Sequence, residues 1–135
     1  MALYYKIKRW FASMRYNLKC GIQRFRHGYS YGDVYDIDQW FVRTIKQMLT
    51  HLRDNGCSYP MQFKDRDAWC AVLDEMISCL HMMDEDNVYI HLAFGEIGAY
   101  KKMTNEDYQR VYELMRENKN RFFELFNKHF YDLWD

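Results

Sequence analysis

At 135 residues, with 19 basic and 19 acidic side chains and 49% apolar residues, the chain has the length and apolar content of one packed domain, expected to span 1–135. This composition excludes a disordered chain, and no uncharged run approaches the roughly 20 residues that a membrane-spanning helix needs. One proline and six glycines leave no low-complexity linker.

The apolar spacing predicts an all-α fold: a bundle of four main helices sharing one core, opened by a long basic amphipathic N-terminal helix. The first helix covers 2–26, where Leu3, Ile7, Trp10, Phe11, Met14, Leu18, Ile22 and Phe25 follow three-four spacing. Gly21 weakens it, and the glycines of HGYSYG end it. A second helix is expected over 33–54, with Ile37, Trp40, Phe41, Ile45, Met48, Leu49 and Leu52 on its apolar stripe. Asp33, Asp36 and Asp38 gather at its start, where the helix dipole favours negative charge, and Asp54-Asn55-Gly56 stops it.

A third helix is expected over 65–83, capped by Asp65 or Asp67 and ended by Asp84-Glu85-Asp86-Asn87. The stretch VYIHLAFGEIGAY reads as a short helix or a packed irregular connection, since a lone strand has nothing to pair with. Thr104 and Asp107 then form a shortened capping box for a last helix over 105–133, carrying Tyr108, Val111, Tyr112, Met115, Phe122, Phe123, Phe126 and Phe130. Trp40, Trp69, Phe122 and Phe126 are expected to be largely buried.

Charge is distributed unevenly. Residues 1–32 hold Lys6, Lys8, Arg9, Arg15, Lys19, Arg24 and Arg26 and no acid, which leaves 12 basic against 19 acidic residues for the rest of the chain. A basic amphipathic helix serves a membrane surface, a nucleic acid, an acidic partner, or its own acidic body. The acidic remainder repels phosphates, so nucleic acid is an unfavourable partner, and it weakens attraction to anionic lipid in the same way. A small anionic ligand such as a nucleotide needs only a local set of donors. Arg15, Lys19, Arg24 and Arg26 with Tyr29 and Tyr31 are the candidate ligand- or partner-binding residues, because they combine fixed positive charge with flat rings beside a glycine-flanked turn. The competing reading is a helix–helix turn whose cations pair with the protein's own acids.

No catalytic motif is legible: there is no P-loop, no G-x-S-x-G and no H-E-x-x-H. Cys20, Cys57, Cys70 and Cys79 form no C-x-x-C pair and the five histidines are scattered, so neither a metal site nor a cofactor is expected. The start MALYYKIKRWF has no secretory pattern, which suits a reduced, intracellular setting. The 25 aromatic residues exceed what a modest core must bury, and Tyr4, Tyr5, Trp10 and Phe11 near one end, with Tyr131 and Trp134 near the other, are candidates for an adhesive surface. A homo-oligomer, by preference a dimer, is the expected assembly.

The segments KIKRWF (6–11), RHGYSYGDVYDIDQWF (26–41), GCSYP (56–60), DAWCAVLDEMI (67–77) and FFELFNKHFYDLWD (122–135) resemble a loose group of uncharacterised small proteins encoded by bacteriophages and prophages of gut-type bacteria. That resemblance implies a viral origin and action in the host cytoplasm, and it transfers no catalytic residue. The expected function is therefore that of a non-enzymatic phage accessory protein that antagonises host antiviral defence by sequestering a nucleotide signal or blocking a host effector. The alternative is a structural role in virion assembly or replication.

Overall fold

A computed structural model of the chain describes residues 2–88 and 103–134. All secondary structure among the described residues is helical: α1 (Ala2–His27), a 3-10 turn (Asp33–Asp36), α2 (Ile37–Asn55), α3 (Arg66–Met83), α4 (Asn105–Lys128) and a closing 3-10 turn (Phe130–Asp132). The expectation for VYIHLAFGEIGAY falls, from Tyr89 onward, outside the described residues. The chain divides into two compact units, Met1–Trp40 and Phe41–Asp135.

In the first unit α1 runs without interruption through Gly21 to His27. It ends as the glycines require: Gly28 takes a left-handed φ of 79°, and its N–H donates to the Arg24 carbonyl at 2.8 Å. Of the aspartates expected to open the second helix, Asp33 and Asp36 instead open the 3-10 turn, and α2 begins at Ile37 with Asp38 in its first turn.

The second unit holds the apolar core. Its buried members are Val42 and Leu49 from α2, Trp69, Leu73, Met76, Cys79, Leu80 and Met83 from α3, and Phe122 and Leu125 from α4. Helices α3 and α4 pack on each other. Phe41 stacks on Phe123 at 5.9 Å between ring centroids and meets Phe122 edge-on at 6.1 Å. Trp69 and Phe122 are buried as the sequence implied, whereas Trp40 and Phe126 are only half-buried.

Caps set the helix starts. The Asp65 carboxylate accepts the Ala68 N–H at 2.9 Å, and Thr104 and Asp107 form the reciprocal capping box. At the far end α4 stops at Lys128 rather than near 133. There the buried His129 pairs through Nδ1 with Asp132 at 3.0 Å, and the Gln62 amide donates to the same carboxylate at 2.6 Å. Phe63, a loop residue, packs at a tilt against both Trp69 and His129 with centroids 5.0 and 5.4 Å away, fastening the 56–64 loop to the C-terminal turn.

Candidate functional site

The six residues singled out from the sequence all lie in the first unit, and helical geometry sorts them into groups. At 100° per residue, Lys8, Arg15, Lys19 and Arg26 fall within about 40° of one another and make one stripe of cations along α1. Arg24 lies about 160° round the helix from Arg26. Tyr29 and Tyr31 lie in the turn that follows α1.

That turn folds back onto one face of α1. The Tyr31 N–H donates to Gln23 Oε1 at 3.0 Å. The Arg24 guanidinium grips Asp33 with two hydrogen bonds, Nη2 to Oδ1 at 2.7 Å and Nε to Oδ2 at 3.1 Å. Asp33 Oδ2 also accepts the buried Ser30 N–H at 2.7 Å, the reach-back an acid makes in a capping box. The His27 ring stacks on Tyr31 at 6.4 Å and leans on Tyr29 at 6.2 Å. Gly32 lies so close to the Tyr16 hydroxyl that an added Cβ would sit 2.9 Å from it. Tyr16, Cys20, Gln23, Arg24 and His27 thus make the anchoring side of α1, and Cys20 is its buried member.

The electrostatics follow from these contacts. The Arg24 guanidinium, with the Ser30 N–H, holds the Asp33 carboxyl well below the usual carboxylate range, and Asp33 in turn raises Arg24. The neighbouring Cys20 thiol raises the Tyr16 phenol.

The opposite side of α1 carries the apolar stripe. Trp10, Met14, Ile7, Phe25, Leu18, Phe11 and Ile22 span about 120° of the helix circumference. The sequence pattern reads as a core-facing stripe, but these side chains are exposed: Trp10 at 58%, Leu18 at 68% and Phe25 at 92%. The physical reason lies in the turn, which packs on the far side of the helix. The cation stripe borders one edge of this face, and Lys6 and Arg24 border the other. Arg15, Leu18, Lys19, Ile22 and Gln23 line a depression of about 270 Å³ along the boundary.

The structure therefore gathers Arg15, Lys19 and Arg26 beside an apolar face, turns Arg24 towards Asp33, and sets Tyr29 and Tyr31 against His27. The residues that anchor the turn were not among the candidates. Their signal was present: Tyr16, Cys20, Gln23 and His27 recur at four-three-four spacing on one side of the helix.

The second unit has two further openings. One of about 440 Å³ is lined by Lys46, Thr50, His51 and Arg43, whose guanidinium pairs with Asp84 and Asp86. The other, of about 630 Å³, is an apolar groove between α2 and the C-terminal end, lined by Met48, Leu52, Phe126 and Phe130. Among the described residues no three His, Cys, Asp or Glu side chains group as a metal site, and no helix is long and apolar enough to cross a membrane. No protein-family model, curated protein or solved structure matches the chain.

Proposed function

We propose that this chain is a non-enzymatic binding protein whose contact surface is α1. The observation that supports this reading is the exposed apolar face of α1, bordered by Lys8, Arg15, Lys19 and Arg26, in a segment of 32 residues with no acid. Contiguous exposed apolar surface rimmed by charge is the mark of an interaction site. The resemblance to phage-encoded proteins supplies the setting: an accessory protein in the host cytoplasm that antagonises antiviral defence.

The shape of the surface favours covering a larger partner over capturing a nucleotide. Small-ligand sites are concave and enclose most of the ligand, whereas this face is an open strip along one helix. The nucleotide reading keeps support from the rings of His27, Tyr29 and Tyr31, which gather at the C-terminal end of α1. The competing architecture is the four-helix bundle, in which the chain's own core covers the stripe and the cations merely pair with its acids. A homodimer, as part of this proposal, leaves the α1 face free, because two α1 helices facing each other would oppose cations with no acid between them.

The test is infection of bacteria that carry a nucleotide-signalled antiviral system and express the chain. The wild-type chain restores phage plating. Leu18→Glu, and separately the combination of Arg15→Ala, Lys19→Ala and Arg26→Ala, abolish that effect while the far-UV spectrum is kept. Full activity in both variants rejects α1 as the contact surface.

A further inference from the structure

Resting on that reading of α1, we propose that its partner is an anionic lipid surface, on which α1 lies flat with its apolar face in the headgroup–acyl boundary. Trp10, Phe11, Leu18, Ile22 and Phe25 form a continuous exposed strip on a 26-residue helix about 39 Å long. An interfacial helix has this composition: aromatic and aliphatic residues on one side, Lys and Arg on the other.

The cations are placed as a membrane surface requires. Lys8, Arg15, Lys19 and Arg26 stand at the edge of the apolar strip, where a long side chain lays its stem along the acyl boundary and lifts its charge to the phosphates. Phosphate groups accept from both Arg and Lys. The helix lies on the bilayer and does not span it, since no described helix is apolar enough to cross.

The sequence raised an objection to anionic lipid, the excess of acid elsewhere. The structure answers it locally. The unit Met1–Trp40 contains seven basic residues and three acids, Asp33, Asp36 and Asp38. Asp33 is held by Arg24 on the anchoring side of the helix. The acidic excess belongs to the other unit, Phe41–Asp135.

Charge also argues against two other occupants. A second α1 brings seven more cations and no acid. A nucleic acid uses the cations and leaves the apolar strip uncovered, because its affinity is carried by phosphate neutralisation. A lipid surface satisfies both halves of the face at once, and it needs no directional hydrogen bonds, which this strip does not offer.

The experiment is vesicle flotation of the full-length protein. One set of vesicles is phosphatidylcholine alone, and the other is phosphatidylcholine with one-third phosphatidylglycerol. The wild-type chain floats with the anionic vesicles, stays behind with the neutral ones, and is released as salt rises from ~0.1 to ~0.5 M. Each neutralised cation weakens binding about fivefold, so Lys8→Gln, Arg15→Gln, Lys19→Gln and Arg26→Gln together weaken it on the order of several hundredfold. Leu18→Glu abolishes flotation, and circular dichroism verifies that both variants stay helical. Equal flotation with neutral vesicles, or with the four-cation variant, overturns the proposal. Absence of flotation also overturns it. In that case, loss of infection activity in Leu18→Glu leaves α1 standing as the surface for another partner, and unchanged infection activity removes both readings.

Discussion

Replacing Trp69 by alanine, beside the same truncation of Leu18, measures what each unit contributes to stability. Trp69 is 2% exposed, with the Phe63 ring 5.0 Å and the His129 ring 5.7 Å from it. Truncating such a residue removes its transfer energy and leaves a cavity that rigid neighbours cannot fill, costing about 3–5 kcal/mol. For a small domain that lowers the melting temperature by on the order of 15–30 °C. Leu18, at 68% exposure, has little surface to lose, and its replacement stays within about 0.5 kcal/mol. Urea denaturation followed by far-UV circular dichroism reads both. A loss below about 1 kcal/mol for Trp69→Ala would refute the packing of the second unit. A loss above about 2 kcal/mol for Leu18→Ala would mean that the face of α1 is covered in solution.

Three further outcomes follow from the contacts. Because the folded-state pKa of Asp33 is depressed, the stability it contributes is present above the ordinary carboxylate value of about 3.8 and is lost as pH falls through the lowered folded value. Protection of the Ser30 amide, taken relative to its intrinsic exchange rate at each pH, should hold above about pH 4 and fall progressively below it, and Asp33→Asn should remove that dependence. Thr104→Ala removes the capping box of α4 and should cost about 1 kcal/mol by urea denaturation, a loss that Thr104→Ser largely avoids. Gly28→Ala forces a side chain into a left-handed conformation and should cost about 1 kcal/mol, seen as faster amide exchange across residues 28–33.

Much of the helical layout was legible because its signals are local. Gly56 closes α2 by donating to the Leu52 carbonyl at 2.8 Å, Asp65 caps α3, and the Thr104–Asp107 box opens α4, each within four residues of its partner. What escaped the sequence depends on contacts between distant positions. Phe63 lies in a loop without periodicity, yet its ring packs on the buried Trp69. Leu125 is buried beside its more conspicuous neighbour Phe126, which stays half-exposed, because the direction in which α4 faces α3 cannot be counted from aromatic content.

The candidate site shows the same division. Charge and apolar periodicity revealed the cations and the stripe of α1. They did not reveal which side the following turn would choose, a choice made by Gln23, Arg24 and Asp33 through bonds spanning eight and nine residues. Once the turn takes the anchoring side, Arg24 is paired and the stripe stays exposed, so the weight of the site moves from Arg24 to Arg15, Lys19 and Arg26.

The most direct measurement is fluorine NMR of the full-length chain carrying 5-fluorotryptophan, with the Trp10 resonance assigned by Trp10→Phe. Trp10 should show a water–deuterium isotope shift in the free protein and lose it when anionic vesicles are added, while the buried Trp69 shows none in either state. A Trp10 resonance already shielded from solvent in the free protein would contradict the claim that the face of α1 is an open docking surface.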